Sequence, residues 1–209
     1  MSKLIQILKS FFIVLILTTV FLSCDETETD YKKPDYFPLN DQSKWEYQWE
    51  YKCDCPEEYV AFDAPTIWIA GDSIIQGVIY SKIENEYGLL KLVRREGSKY
   101  YEFNLYNMES LFLDTSLPEG SSWTIDTDDF WHSEYIIQRP VQKMTVNSIT
   151  YYDIIVVENR TTYGIVTSDE YSVSYFHYYA KDIGEILVYN PPNTITYVSD
   201  TKFSLLKYR

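Results

Sequence analysis

A serine and a histidine in this chain have the neighbours that nucleophilic catalysis requires. Ser73 follows the apolar residues 67–70 and the pair Gly71-Asp72, and His132 lies three residues after Asp129. A serine attacks a carbonyl only when a base lies within hydrogen-bonding reach and an acid orients that base. The same Gly71-Asp72-Ser73 triplet also fits a hairpin turn, in which Asp and Ser side chains bond backbone amides. We favour the turn.

The stretch Ile67-Trp68-Ile69-Ala70-Gly71-Asp72-Ser73-Ile74 resembles the first block of GDSL (SGNH) hydrolases, and Asp129-Phe130-Trp131-His132 resembles their Asp-x-x-His block. The resemblance implies Ser73 as the nucleophile and His132 as the base. The rest of the chain departs from that family. Its Gly-x-Asn block is absent at all seven glycines, and about 77 residues follow His132, whereas the family's block lies near the C-terminus. The hydrolase is therefore kept as an alternative, and we assign no catalytic residue.

Two sets of residues have the atoms that bind metal ions. The acidic segment Asp126 to Asp129 carries the oxygen ligands that calcium prefers, but it lacks the glycine and the terminal glutamate spacing of an EF-hand. Cys53 and Cys55 would close a small, strained ring as a disulfide, and a zinc site normally needs four nitrogen or sulfur ligands. We therefore assign no metal ligand and no cofactor, and leave open whether the segment Asp126 to Asp129 binds calcium and whether the two cysteines are bridged. His132 and His177 are interpreted as packed or surface histidines.

Aromatic residues make up 17% of the chain, with 21 Tyr, 10 Phe and 5 Trp. Tyr and Trp with polar neighbours occur where proteins recognise carbohydrates or peptides, because a flat ring stacks on the apolar face of a sugar. In the segment 43–52, Trp45, Tyr47, Trp49 and Tyr51 alternate with polar residues, which is the period of a strand with one aromatic face. This stripe predicts first a buried face of a sheet, and a glycan or a protein remains the candidate ligand.

The acidic composition restricts the partners of the protein. The formal net charge of −13 makes nucleic acid and anionic lipid surfaces poor partners, whereas cations, cationic proteins and neutral sugars stay open. With 209 residues, of which 45% are hydrophobic, the chain is large enough to bury the core of one domain.

Short strand-like segments follow one another along the chain and are separated by turn residues. They cover residues 43–52, 66–69, 77–83, 89–94, 99–106, 110–113, 122–125, 133–138, 141–146, 151–158, 171–180, 185–189, 194–198 and 202–208. No long stretch keeps helical spacing with caps. The pattern predicts an all-β fold, an antiparallel meander that forms a barrel, half-barrel or sandwich with few or no helices. Gln76-Gly77 and Asn147-Ser148 precede similar strands and are interpreted as two hairpins rather than a duplication.

The first residues of the chain have the organisation of a secretory signal. Lys3 and Lys9 precede an apolar run that ends at Leu22, and the small residue Ser23 comes before Cys24. The run is short for a membrane-spanning helix, which needs about 20 apolar residues. Ser23-Cys24 resembles the lipobox of bacterial lipoproteins. The resemblance implies that the signal is cut before Cys24 and that the lipidated Cys24 anchors the protein in the membrane.

The acidic, threonine-rich segment from Asp25 to Asp30 reads as a solvated tether. Acidic residues directly after the cysteine resemble the export signal of surface lipoproteins in Bacteroidota, although in enterobacteria an Asp at this position favours retention in the inner membrane. The phrases Leu117 to Trp123 and Tyr178 to Gly184 resemble those of uncharacterised lipoproteins of these Gram-negative bacteria. The resemblance implies an all-β fold and a location on the outer membrane, at the cell surface or on the periplasmic side, but no activity.

The sequence therefore predicts three parts: a lipoprotein signal over residues 1–23, an acidic tether over 24–36, and one all-β domain over 37–209. The predicted function is that of a membrane-anchored, exported, non-catalytic binding or interaction module. The alternatives are a structural or assembly accessory of an envelope complex and the GDSL-like hydrolase. An aromatic-lined cavity would favour ligand binding, and a flat apolar patch would favour assembly.

Overall fold

The computed structural model describes residues 34–52, 59–103, 108–128, 131–163, 171–192 and 200–209. The signal segment, Cys24, the pair Cys53 and Cys55, Asp129 and the predicted strand 194–198 lie outside the described residues. Within the described ranges every regular element is a β-strand. The all-β prediction is therefore confirmed. This part of the chain contains no helix with the length and apolarity to cross a bilayer.

Thirteen strands are described, and all of them belong to one antiparallel sheet. They are β1 (Lys44–Lys52), β2 (Tyr59–Ile75), β3 (Val78–Asn85), β4 (Gly88–Glu96), β5 (Lys99–Phe103), β6 (Glu109–Asp114), β7 (Ser122–Asp128), β8 (Trp131–Ile137), β9 (Val141–Val146), β10 (Ile149–Tyr163), β11 (Tyr171–Ala180), β12 (Gly184–Asn190) and β13 (Thr201–Tyr208). Each overlaps one predicted strand. β2 is much longer than predicted because it continues past Pro65 and Gly71, two residues that usually interrupt strands.

The sheet curves into a nearly closed barrel. Its strand order is β6-β5-β4-β3-β2-β1-β13-β12-β11-β10-β8-β7, and β9 pairs with the first part of β10. The pairing of β1 with β13 joins an N-terminal meander to a C-terminal one. The two outermost strands of the path are linked where the Trp123 Nε1 of β7 donates a 2.7 Å hydrogen bond to the Leu111 carbonyl of β6. Of the three predicted architectures, the barrel is the one that forms.

Two tight turns confirm the hairpin interpretation of the similar strands. Gln76 and Gly77 have φ values of 51° and 82°, and Asn147 and Ser148 have 47° and 66°. Positive φ at both central residues is the conformation of the type I′ turns that match the twist of a hairpin. Each pair therefore reverses the chain between two neighbouring strands of the sheet.

The interpretation of Gly71-Asp72-Ser73 as a turn is wrong. These residues lie inside β2, where the register against β3 shifts between Ile69 and Asp72 and Gly71 has a φ of 90°. A glycine that allows the backbone of a strand to become irregular is easily taken for a turn residue in the sequence. The reversal between β2 and β3 takes place at Gln76-Gly77.

One end of the barrel is closed by an aromatic floor, formed by Phe37, Trp45 and Phe112. The Phe37 ring lies 5.5 Å from Trp45 and 5.6 Å from Phe112, centre to centre. Trp45 is only 1% exposed, and its Nε1 donates a 2.7 Å hydrogen bond to the Ile183 carbonyl. Since the ring pairs are in contact and the indole donor is satisfied, the floor is a well-packed part of the core.

The first described residues run along this closed end. Asp35 accepts a 2.7 Å hydrogen bond from the Tyr100 hydroxyl, and its other oxygen lies 3.0 Å from Arg95 Nη1. The Asp35 carbonyl accepts a bond from the backbone amide of Asp182. The chain therefore enters the barrel at the floor, held by bonds to β4, β5 and the turn before β12.

Candidate functional site

Four ionisable side chains converge inside the barrel, and we call them the lumenal cluster: Lys91, Glu102, His177 and Glu185. Lys91 Nζ lies 3.1 Å from Glu102 Oε2. His177 Nδ1 donates a 2.7 Å hydrogen bond to Glu185 Oε1. The first pair belongs to β4 and β5 and the second to β11 and β12, with four strands between β4 and β12 in the sheet. The two pairs thus project from well-separated walls of the barrel.

The positions of these residues on their strands show why they point inward. Side chains two apart in a strand share a face. Glu102 shares its face with Tyr100, which is fully buried, and Lys91 shares its face with the equally buried Val93. Lys91 Nζ lies 5.0 Å from the centre of the Phe112 ring, so the ammonium group rests on the aromatic floor.

The two pairs interact electrostatically across the lumen, because Lys91 of one pair and Glu185 of the other shift each other's pKa. Burial lowers the pKa of Lys91, but the carboxylates of Glu102 and Glu185 outweigh it, so the pKa lies above its ordinary value. Burial raises the pKa of Glu185, but the bond from His177 and the charges of His177 and Lys91 outweigh it, so that pKa lies below its ordinary value. Both groups are therefore charged at neutral pH, and each stabilises the other.

The cluster is enclosed by protein and yet reached by solvent. The exposed fractions of the side chains are 34% for Lys91, 27% for Glu102, 23% for His177 and 19% for Glu185. Charged groups that keep this much of their surface in water belong to a solvated region rather than to a dry core. These side chains can therefore exchange bound water for the polar groups of a ligand.

Tyrosine hydroxyls add neutral hydrogen-bonding groups around the cluster. Burial, and then the charges of Glu185 and Glu102, raise the pKa of Tyr179 well above its ordinary value. Burial and the Glu102 carboxylate raise the pKa of Tyr135 to about 12. The Tyr47 hydroxyl donates a 3.0 Å bond to the Glu185 carbonyl. These phenols stay protonated over the physiological pH range, so each keeps its donor.

The end of the barrel away from the floor carries exposed rings. Trp49 of β1 is directly opposite Phe62 of β2 and Phe203 of β13, and opposite residues in an antiparallel pair share a face. Phe203 stacks on the buried Tyr47 with a centre distance of 4.4 Å, which identifies that face as the inner one. Trp49 is nevertheless 51% exposed and Phe62 45% exposed.

Tyr51 stacks on Phe62 with a centre distance of 5.4 Å and an angle of 7° between the rings. We call Trp49, Tyr51 and Phe62 the mouth aromatics. The predicted aromatic stripe is thus confirmed for Trp45 and Tyr47, which are buried, and wrong for Trp49, which lies where the barrel opens.

The mouth aromatics and the lumenal cluster are connected by the register of the sheet. From Trp49 the pairing passes to Phe203, then to Val188 and to His177. Three strand spacings separate Trp49 from His177, which is roughly 14 Å along the sheet. The inner face therefore changes from aromatic to charged within one row of residues.

The residues of the hydrolase alternative lie on distant strands. Ser73 of β2 pairs with Tyr80 of β3, and His132 of β8 pairs with Thr162 of β10. Five strands separate β2 from β8 in the sheet. The α/β layers of GDSL hydrolases are also missing from the described part of the chain. The fold that positions the catalytic residues in that family is therefore not the fold seen here.

The acidic segment proposed for calcium is only partly described. Asp126 and Asp128 belong to β7, and Asp129 lies outside the described residues. Among the side chains that the structure describes, no group of three His, Cys, Asp or Glu residues could hold a metal ion. The two cysteines also lie outside the described residues, so a bridge between them stays untested.

Another buried carboxylate, Glu158 on β10, has a structural role. It accepts hydrogen bonds from Gln138 Nε2 at 2.7 Å, Ser174 Oγ at 2.8 Å and Arg160 Nη2 at 3.0 Å. Ser174 belongs to β11 and Gln138 follows β8, so Glu158 ties together the two neighbours of its own strand. Its acceptor sites are occupied by protein, and it is not a candidate for binding a ligand.

Sequence reasoning did not single out Lys91, Glu102 or Glu185. All three lie in strands that were predicted, and Lys91 and Glu102 lie two positions from Val93 and Tyr100, which the structure shows to be buried. A charged residue on the buried face of a strand was the available signal. That the two pairs face each other follows from the closure of the barrel.

No protein-family model matches the chain. No curated protein matches it significantly. Among solved structures, the chain is similar to a candidate exported protein with a YmcC-like fold from Bacteroides fragilis, with a TM-score of 0.50 and 8% identity over 83% of this chain and 98% of that one. It is also similar to a candidate lipoprotein from Parabacteroides distasonis, with a TM-score of 0.48 and 7% identity over 84% of this chain and 99% of that one. The barrel of this protein is therefore similar in fold to the YmcC-like structure from Bacteroides fragilis.

Proposed function

We propose that this protein is a lipid-anchored, exported, non-catalytic binding protein that takes a polar ligand into the lumen of its barrel. The observation that carries the proposal is the lumenal cluster, in which the Lys91–Glu102 ion pair and the His177–Glu185 hydrogen bond, on separate walls, stay accessible to solvent. Charged groups inside a barrel lower the stability of the fold unless they are paired or stay hydrated, because burial removes them from water. Aromatic rings at the mouth and polar groups within are the usual composition of a ligand pocket.

Export and anchorage are supported by the N-terminal segment. The apolar run that ends at Ser23-Cys24 has the pattern of a lipoprotein signal, and the acidic residues from Asp25 onward resemble the surface-export signal of Bacteroidota. The structural relative from Bacteroides fragilis is itself described as an exported protein. We place the protein on the outer membrane of a Gram-negative cell.

Replacing Cys24 with alanine is expected to move the protein from the membrane fraction to the soluble fraction. The thiol is the attachment point for the lipid, and the rest of the tether is acidic and would not hold an anionic membrane surface. Cell fractionation followed by immunoblotting measures the distribution. Cys53→Ala is the matched control and should stay in the membrane fraction. If Cys24→Ala remains membrane-bound through detergent-free washes, the lipid anchor is wrong.

Filling the lumen is expected to abolish binding of any ligand that enters it. Val188 lies between Phe203 and His177 on the inner face, so Val188→Trp would place a large ring between the mouth aromatics and the cluster. A library of small polar compounds is screened on the full-length protein for compounds that raise the melting temperature, as expected when a ligand binds the native state.

Compounds that stabilise the wild type should lose their effect on Val188→Trp and keep it on Ile79→Trp. Ile79 is 61% exposed on β3 and provides a tryptophan control outside the lumen. The proposal fails if no compound stabilises the wild type, or if the compounds stabilise Val188→Trp equally.

A further inference from the structure

We infer that the ligand is an uncharged oligosaccharide that stacks on the mouth aromatics and reaches the lumenal cluster with its hydroxyl groups. This inference rests on the proposed function and names the chemical class of the ligand. It follows from three properties of the inner face: its exposed rings, the internal pairing of its carboxylates and the cost of burying charged groups against hydrocarbon.

The mouth presents exposed aromatic rings. Tyr51 and Phe62 stack on each other, and Trp49 lies opposite Phe62 in the neighbouring strand. Trp49 and Phe62 keep about half of their surface in water, although apolar side chains on an inner face are normally covered. The C–H groups of a pyranose face are apolar and slightly positive, and they pack on the negative face of an aromatic ring.

The charges of the cluster disfavour ions as ligands. Glu102 is already bonded to Lys91, and Glu185 is already bonded to His177. A ligand carboxylate or phosphate would meet two glutamates, and a ligand ammonium would have to displace Lys91 or His177 from its carboxylate. Because each glutamate already has a hydrogen-bonded partner within the protein, a neutral ligand disturbs the cluster least.

The same cluster disfavours a lipid chain. A hydrocarbon would remove water from Lys91 and both glutamates without replacing any hydrogen bond, which is costly for charged groups. Sugar hydroxyls can donate to Glu102 and Glu185 and accept from Lys91 and the Tyr179 hydroxyl. The roughly 14 Å from Trp49 to His177 is longer than a single sugar ring, so a short oligosaccharide covers both regions.

The test uses the full-length protein in a detergent without a sugar headgroup, so that the detergent cannot compete. Maltohexaose, cellohexaose, mannohexaose, xylohexaose, laminarihexaose and chitohexaose are titrated by calorimetry, together with spermine and a short-chain fatty acid as cationic and acyl probes. We expect at least one hexaose to bind. Trp49→Ala should weaken that binding by about tenfold or more, as loss of a central aromatic anchor does.

Ile79→Ala is the matched control, because it removes exposed apolar surface away from the mouth and should leave the affinity unchanged. The inference is overturned if no hexaose binds, or if binding is the same in Trp49→Ala and the wild type. Should spermine or the fatty acid bind instead and fail to bind Val188→Trp, the oligosaccharide is wrong while the binding lumen stands. If neither the screen of polar compounds nor the calorimetric titrations yields a ligand, the proposed function is wrong as well.

Discussion

Trp45→Ala is expected to lower the free energy of unfolding by about 3–5 kcal/mol, a large share of the 5–15 kcal/mol typical of a domain. Trp45 is 1% exposed and stacks on Phe37, and its ring centre lies 5.8 Å from Tyr208. Truncation would leave a cavity in the aromatic floor and an unpaired carbonyl at Ile183. Urea unfolding followed by circular dichroism measures the change.

Trp49→Ala provides a control of the same residue type on the same face of the same strand. Since Trp49 is 51% exposed, its truncation should cost about 1 kcal/mol or less. Equal losses for the two variants would show that the floor does not pack as described.

The contact between Gly184 and Trp45 gives an independent test of the same packing. Gly184 has a φ of +107°, and a Cβ built there would lie 3.0 Å from Trp45 Nε1. Gly88 has a similar φ of +119° with no atom within 4 Å of its Cβ position. Gly184→Ala should therefore destabilise the protein more than Gly88→Ala, because both carry backbone strain and only one displaces the indole.

Glu185→Gln is expected to destabilise the protein by about 2 kcal/mol at neutral pH. The substitution keeps the shape of the side chain but removes the charge that pairs with His177 and attracts Lys91. The loss is smaller than for a fully buried pair because Glu185 keeps 19% of its side-chain surface exposed.

The pH dependence of this effect has a definite sign. The folded-state pKa of Glu185 lies below its ordinary value, so the stabilisation is fully present above the unfolded pKa of about 4.3 and is lost as the pH falls through the folded pKa. The difference in the free energy of unfolding between the wild type and Glu185→Gln should therefore decrease as the pH falls over that acidic range. Urea unfolding at a series of pH values measures it, and a difference that does not change with pH would contradict the charge pairing.

Glu46→Gln is the surface control for this prediction. Its partner Arg209 is 58% exposed, and the two charges lie 3.7 Å apart. Exposed ion pairs contribute about 0–1 kcal/mol, so Glu46→Gln should change the stability little at any pH between acidic and neutral.

The strands were predictable because each depends on local chemistry. The alternation around Trp45 and Tyr47 and the turn residues at Asn147-Ser148 are read within a few positions of the chain. Barrel, half-barrel and sandwich were all compatible with the sequence, because the spacing of strands along the chain does not determine how a sheet curves.

The candidate site could not be predicted from local patterns. Lys91 and Glu185 are separated by 94 positions in the sequence, and they meet only because the pairing of β1 with β13 brings the two meanders into one barrel. The exposure of Trp49 likewise depends on where the barrel opens, and its strand pattern is the same as that of Trp45. Long-range pairing, rather than propensity, decides both features.

The two ends of the barrel differ in what they offer to a ligand. The aromatic floor closes one end with packed rings, and the mouth aromatics lie at the far end of β1, where Trp49 and Phe62 stay exposed. Because the floor bars the way through, a polymer bound in the lumen would insert one end of its chain rather than thread through the barrel.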